Sequence, residues 1–486
     1  MNQESAYSMV IGLEVHAQML TQSKIFCGCP TQFGAAPNTQ VCPVCAAFPG
    51  VLPVLNHQAV EMALRTGLAI NGHINRTSEF SRKNYFYPDL PAGFQITQYE
   101  HPIVEAGELF IEPEGQPRRR IGITRIHIEV DAGKSLHEGI PGASWVDLNR
   151  TGTPLMEIVS EPDLRTPEEA GEYLKNLRSL LRYLGVCDGN MEQGSLRCDA
   201  NVSVRTNESA PFGTRCELKN LNSIRNVMRA IVYEAERQVG LIENGEKVVQ
   251  ETRLWDPDKG VTRSMRGKED AHDYRYFPEP DLPLLVLTEA RIDKARAALP
   301  ELPEAKRLRY MQQFGLSSYD ASVLTADKDL ATYFEAVIDM EEKGVRPEAK
   351  SAANWVQVEL LGRLNREGHE LSASPVPPQR LGKLLLLVQN GTISGKMAKE
   401  VFQAMFESGQ EPEGIIEARG LKQVSDTGTI EGEIRKILDA NPAEVEQYRQ
   451  GKTKVFGFFV GQVMKATRGQ ANPQMVNDLL KQMLAG

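Results

Sequence analysis

The stretch RIHIEVDAGKS, residues 125–135, narrows the fold more than any other part of the chain. Arg125, His127, Glu129 and Asp131 alternate with Ile126, Ile128 and Val130. A period of two marks a strand with one apolar face and one chemically loaded face. The closing Gly-Lys-Ser has the ending of a phosphate-binding loop. Such a loop needs a glycine five positions before Gly133, and Ile128 stands there. The nucleotide loop is excluded and the strand remains.

The same pattern recurs in three other places. In VIGLEVHAQML, Glu14, His16 and Gln18 share one face, and Leu13, Val15 and Ala17 the other. In CDANVSVR, Asp199, Asn201, Ser203 and Arg205 alternate with Ala200, Val202 and Val204. In TRCELKN, Arg215, Glu217 and Lys219 alternate with Cys216 and Leu218. A solvated sheet face is one reading, since antiparallel sheets commonly have one. The other rests on the company kept: Glu14, Glu129, Asp199 and Glu217 come with His16 and His127. On adjacent strands these carboxylates would repel unless a cation held them, and Mg²⁺ takes carboxylate oxygens and substrate phosphate.

A second signal is local. In CGCPTQFGAAPNTQVCPVC, Cys27 and Cys29 form one close pair, and Cys42 and Cys45 another. Two thiolate pairs on turns suit tetrahedral zinc, and four protein ligands leave no open position for catalysis. The spacing predicts a structural zinc knuckle at 27–45. Cys187, Cys198 and Cys216 have no partner at metal spacing and read as buried thiols. Seven cysteines, an odd number, argue against a disulfide framework.

The formal net charge of −9 excludes nucleic-acid binding through the whole surface, because such binding depends on neutralising phosphates. From residue 451 onward, however, Lys452, Lys454, Lys465, Arg468 and Lys481 stand against one carboxylate, Asp478, so a local basic surface is possible. Phe456, Phe458, Phe459 and Val463 supply a small core or a docking face there. The N-terminus has no basic region followed by an apolar run, and no apolar stretch approaches the roughly 20 residues that span a bilayer. The expectation is a cytoplasmic protein without a membrane segment.

Residues 1 to about 293 read as short strands and hairpins with a few helices. Thr166, Pro167 and Glu169 open a helix as N-cap, N1 and the acid of a capping box, and Gly185 ends it. Another helix covers HQAVEMALRTGLAING. Apolar residues then take helical spacing, as in Leu381, Leu384, Leu385 and Val388. SASPVPPQR at 372–380 reads as a linker within this region, and ESGQEPEG at 407–414 as a break before a last helical piece. The expected fold is α+β: an antiparallel-sheet catalytic domain over 1–293, a helical domain over 294–410 and a small helical tail over 411–486. FSRKNYFYPDLPAGFQITQYE, at 80–100, either stacks a base and holds phosphate through Arg82 and Lys83, or packs on the sheet.

Several segments together resemble the B-subunit family of the bacterial glutamyl/aspartyl-tRNA amidotransferases. They are VIGLEVHAQM, RKNYFYPDLPAGFQITQ, RIHIEVDAGKS, VDLNRTGTPLMEIVSEPD, MEQGSLRCDANVSVR, ELKNLNS and DYRYFPEPDLP, in that order, and the C-terminal segment is also similar. The resemblance implies ATP-dependent phosphorylation of the side-chain carboxylate of Glu or Asp on misacylated tRNA, followed by amidation with ammonia. It implies a heterotrimer with an amidase (A) subunit and a small C subunit. It also implies a magnesium site of Glu14, His16, Glu129, Glu157 and Glu217, joined by Asp199; Glu157 is added by the resemblance alone. Lys83, Lys219, Arg125 and Arg215, with Arg82, are the cations expected around ATP, since phosphoryl transfer depends on positioning, metal and charge. No serine–lysine amidase pattern or cysteine–histidine glutaminase pattern is present, so nitrogen must come from a partner. A tRNA-binding scaffold that leaves ATP to another subunit is the competing reading. A metal-dependent hydrolase of small substrates is a third.

Overall fold

Ser8–Gln18 alternates because it is the middle strand of a nine-stranded sheet. From edge to edge the strands are β14 (Val261–Gly267), β13 (Glu251–Asp256), β12 (Cys216–Leu221), β11 (Leu196–Arg205), β1 (Ser8–Gln18), β10 (Pro154–Ser160), β7 (Arg119–Val130), β6 (Val104–Ile111) and β2 (His73–Ile74). Only β12 and β13 run parallel; the other neighbours are antiparallel. A smaller sheet joins β15 (Phe277–Pro278), β4 (Ser81–Asn84) and β5 (Phe94–Thr97). Two ribbons pair β3 (Thr77–Ser78) with β16 (Leu285–Val286), and β8 (Lys134–Leu136) with β9 (Trp145–Asp147). The computed structural model describes residues 7–113, 115–136, 143–267, 273–421, 427–467 and 471–485. Arg468 of the basic tail lies outside them. The architecture is α+β, as the patterning led us to expect.

The apolar positions of β1 (Ile11, Leu13, Val15 and Ala17) are buried together with Ile126, Ile128, Met156, Ile158, Ala200 and Val202. Helices α1 (His57–Ala69), α2 (Pro167–Tyr183) and α3 (Ile224–Glu243) add Leu64, Tyr173, Leu177, Leu181, Val227 and Ile231 to the same core. Burying each large apolar side chain contributes about 1.5–3 kcal/mol, which fixes the face that points inward. Thr166 caps α2 through Oγ1, which accepts from Glu169 N at 3.1 Å. The reciprocal half of the capping box is displaced by one residue. Glu169 Oε2 accepts from Arg165 N at 2.6 Å, while its Oε1 pairs with Arg119 at 2.6 Å. The Arg119 guanidinium shares the carboxylate and turns it away from Thr166 N.

Two details hold the loaded end of β7. Its last residues extend past β6, so their outer edge lacks a strand partner. Glutamines fill the gap: Gln98 Oε1 accepts from Ile128 N at 3.1 Å, and Gln95 Nε2 donates to Val130 O at 2.7 Å. Gly133 is needed because a Cβ there would meet Thr151 Oγ1 at 2.8 Å and the carbonyls of Asp147 and Asp89 at 2.9 and 3.0 Å. The Gly-Lys-Ser sequence is therefore a tight turn packed against backbone.

The chain divides into Met1–Pro303 and Glu304–Gly486. The second unit is helical and has two cores. One holds Tyr310, Phe334, Leu360, Leu384, Phe402, Ile415 and Ile416; the other holds Ile430, Ile434, Phe459, Val463 and Leu480. Helix Pro412–Arg419 thus packs with the helices before it. The stretch read as a linker is also packed: Val376 is fully buried, and its carbonyl accepts from Tyr333 Oη at 2.7 Å. Among the described residues no helix is long and apolar enough to cross a membrane.

Leu13→Ala, on the middle strand, is expected to destabilise the first unit by about 2–5 kcal/mol through lost transfer energy and a cavity. Urea unfolding followed by circular dichroism checks it: the midpoint of that unit should fall with little change in slope.

Candidate metal centres

The register turns four separate sequence patterns into one lattice. Arg197, His16, Glu157 and His127 stand abreast on β11, β1, β10 and β7. One step along β1, Glu14 lies between Asp199 and Val159, with Arg125 beyond on β7. One step the other way, Gln18 faces Leu155, which faces Glu129. Glu217 on β12 lies opposite Asn201. Glu14, His16, Glu129, Glu157, Asp199, Glu217, Lys219 and Arg125 therefore gather on one face of the sheet.

Within this face two overlapping triads have donor atoms within 4.8 Å of one another: Glu14–His16–Asp199 and His16–Glu129–Glu157. Glu217 belongs to neither; its carboxylate pairs with Lys219 at 3.0 Å and accepts from Thr252 Oγ1 at 2.8 Å. His16 Nε2 lies 3.6 Å from Glu14 and 3.4 Å from Glu157, and His127 Nε2 lies 3.5 Å from Glu129 and 3.3 Å from Glu157. Lys219 Nζ reaches Asp199 at 2.5 Å, and Arg125 reaches Glu157 at 3.5 Å.

The electrostatics follow from crowding. Burial, then the charge of Glu157, pushes the Glu14 carboxyl above its usual range. Burial opposes a charged imidazole, yet the carboxylates outweigh it: Glu157, with Glu129, lifts His127 to about 9, and Glu157 raises His16 as well. Burial also opposes a charged Glu157, but His127 and His16 hold it well below the usual carboxylate range. Positive charge is thus favoured at the positions a cation would take. The donor set suits a hard divalent ion. Octahedral bonds of about 2.1 Å put adjacent ligand oxygens roughly 3 Å apart and opposite ones roughly 4.2 Å apart, so small movements close either triad. His127 Nδ1 is buried without a hydrogen-bond partner among the described residues.

Around this face stand residues that sequence reasoning did not assign to the site and others that it did. Asp131, two positions beyond Glu129, accepts both nitrogens of Arg197 at 3.1 Å and Gln18 Nε2 at 2.7 Å. Burial pushes its carboxyl up, but Arg197 and Arg150 win and hold it low. Thr97 Oγ1 donates to Glu129 at 3.2 Å. Burial, then Glu129 and Asp131, raises the Tyr85 hydroxyl. Lys83 stands 4.8 Å over the ring of Tyr274, and Tyr99 stacks on Tyr276 at 4.0 Å. Arg82, the next residue on β4, is occupied elsewhere: it grips buried Glu279 with two bonds of 2.7 Å and reaches Asp281 at 3.2 Å. Arg215 is exposed just before β12.

The cysteine quartet forms a separate centre. The sulfurs of Cys27, Cys29, Cys42 and Cys45 lie within 4.8 Å of one another, with Cys42 and Cys45 3.9 Å apart. Zinc–sulfur bonds of about 2.3 Å in a tetrahedron place sulfurs about 3.8 Å apart, so the four can hold an ion such as zinc. A hydrogen bond from Cys27 comes first, and Lys24 adds to it, in lowering Cys45 to about 4; burial raises Cys29 to about 11. Cys45 is thus favoured as a thiolate, with Lys24 beside it. Cys187, Cys198 and Cys216 are buried.

Comparison with known proteins places this geometry in context. Residues 9–293 match the family model described as the GatB/GatE catalytic domain, and residues 332–484 the one described as the GatB domain. The B subunit of the aspartyl/glutamyl-tRNA(Asn/Gln) amidotransferase of Alkalilimnicola ehrlichii is 60% identical over 478 residues, covering 98% of this chain and 99% of that protein. Those of Halorhodospira halophila and Geobacter sulfurreducens are each 58% identical; both alignments cover 99% of this chain, with 99% and 100% of the respective relatives. With both of its segments matched and such relatives aligned over nearly their whole length, the chain belongs to the GatB family, the B subunits of the aspartyl/glutamyl-tRNA(Asn/Gln) amidotransferases.

Proposed function

We propose that this chain is the ATP-using subunit of a tRNA-dependent amidotransferase, a carbon–nitrogen ligase. In this reading the γ-phosphoryl group of ATP passes to the side-chain carboxylate of glutamate on misacylated tRNA(Gln), or of aspartate on tRNA(Asn). Ammonia then attacks the activated carbonyl, phosphate leaves, and the amide remains on the tRNA. The observation that carries the reading is the single sheet face on which two carboxylate–histidine triads share His16 between flanking cations.

Bound Mg²⁺ would supply charge neutralisation on the ATP phosphates and a fixed orientation for them. Glu14, His16 and Asp199 are one ligand set for it, and His16, Glu129 and Glu157 the other. Glu217 sits behind, holding Lys219 toward Asp199. Arg125 and Lys219, each paired with a triad carboxylate, would neutralise the phosphoryl group in transfer, joined by Lys83 from the aromatic loop. Exposed Arg215, just before β12, would add a further cation for the ATP phosphates. Arg82 acts through Glu279, tying β4 to the segment after β15.

Ammonia must come from a partner amidase subunit, with a small third subunit completing the heterotrimer, and it must travel without picking up a proton from water. The exposed Lys452, Lys454, Lys465 and Lys481 offer tRNA a local basic surface in an acidic chain. The cysteine quartet holds structural zinc, apart from the chemistry. Dependence on charged tRNA makes the cytoplasm the place of work.

The decisive test follows phosphate release by the complex with its amidase partner, supplied with ATP, Mg²⁺ and ammonium. Release should require glutamyl- or aspartyl-tRNA and fall about 100-fold or more in Glu129→Ala, while tRNA binding stays intact, because electrostatic positioning carries most of such catalysis. Activity that survives this substitution, or ignores the amino acid on the tRNA, would leave the scaffold reading standing. Elemental analysis of the purified chain should find one zinc per chain, and Cys42→Ser should lose it and lower the melting temperature. Reversing Lys452, Lys454 and Lys465 to Glu should weaken tRNA binding by about 10-fold or more and flatten its salt dependence, with ATP use at saturating tRNA retained. Equal losses of both would argue against a recognition role.

A further inference from the structure

Lys24 is among the most deeply buried side chains in the protein, 1% exposed, and it stands beside the cysteine quartet. Its ammonium donates to Gln40 O at 2.7 Å, to Leu148 O at 3.3 Å and to Cys45 Sγ at 3.4 Å. Three donors meet three acceptors, so the group is used in full as a cation. Among the described residues these are its polar partners, and none is a carboxylate. A buried ammonium needs an anion beside it, and among these partners the Cys45 sulfur alone can carry a negative charge. A divalent ion held by four thiolates has the opposite problem, since it carries two surplus negative charges.

We infer that Lys24 is a working part of the cysteine-held metal centre: its ammonium offsets the thiolate charge through Cys45 and joins the centre to residues 146–150. This rests on the reading that the quartet holds zinc. The second half of the inference has its own geometry. Residues 36–40 of the knuckle are stitched to 146–149: Asn38 Nδ2 donates to Val146 O at 2.9 Å, Leu148 N to Asn38 Oδ1 at 2.8 Å, and Gln40 N to Asn149 Oδ1 at 2.8 Å. Arg150 then donates to Ala132 O at 2.9 Å and to Gly133 O at 2.6 Å, just past the loaded end of β7. Lys24 is a positioning residue, touching the ligand sulfur and the loop at once.

The test uses the full chain and Lys24→Met, which keeps the length and removes the charge. Zinc affinity, read by competition with a chelating dye, should fall about 10–100-fold, the usual loss when an outer partner of a metal ligand is removed. In cobalt-substituted protein, the sulfur-to-metal absorption band should move to lower energy, because a thiolate that accepts no hydrogen bond gives up its electron more easily. Asn149→Ala, which loosens the loop without touching a sulfur, should leave both readings unchanged. Unaltered zinc affinity and cobalt spectrum in Lys24→Met would overturn the inference even if the variant melts earlier. Should that variant not fold, alkylation of the zinc-loaded parent decides. Cys45 should react more slowly than Cys27, and equal rates would overturn the inference. A parent chain that binds no zinc would instead bring down the zinc reading and this inference together.

Discussion

Glu14, Glu129, Glu157 and Asp199 project from four neighbouring strands into one small volume, and like charges that close repel strongly where water is scarce. Much of the first unit can be understood as an answer to that repulsion. The apolar undersides of the same strands pack on α1, α2 and α3, so the sheet cannot twist the carboxylates apart without exposing its core. Cations line the margins: Lys219 beside Asp199, Arg125 beside Glu157, and Arg197 on Asp131. The same carboxylates raise the proton affinity of His16 and His127 between them. A divalent ion would meet the same negative charge at little cost in geometry, which makes the crowding of the carboxylates a source of metal affinity.

Much of this was legible in the sequence, for reasons that differ by residue. Period-two alternation is a local property, and it exposed Glu14, His16, Glu129, Asp199 and Glu217. Which strands adjoin is a long-range property, since β1 pairs with β10 and β11 from far along the chain. Glu157 was hidden for a sharper reason. Its strand is buried on both faces, so it reads as a nearly continuous apolar run with no alternation to betray the acid. Asp131 stood in the alternating pattern without being read as a site residue, and Arg197 lay one period before Asp199, where extending the pattern would have found it.

Other residues show where local reading misleads. Arg82 and Lys83 looked like a pair of phosphate ligands, yet neighbours on a strand point to opposite sides. Lys83 stands over Tyr274, while Arg82 is consumed by Glu279. The proline-rich segment at 372–380 looked like a linker, but buried Val376 anchors it. Lys24 carried no signal at all, because a lysine in a polar stretch is ordinarily a surface residue. The cysteine quartet was readable because its geometry is set by spacing within one short segment.

That contrast bears on how the protein is made. The four cysteines lie between residues 27 and 45, so a chain leaving the ribosome can bring the quartet together almost at once. The acidic face draws on residues from Glu14 to Lys219, and its strands pair across most of that span. Both triads are complete only once synthesis has passed Asp199 and its strand β11, and the flanking Lys219 comes later still. Until then the early strands wait with unpaired edges and exposed apolar faces, the state in which chains aggregate or recruit chaperones. An ion at the quartet would load on the nascent chain, and one on the acidic face only after the sheet has closed.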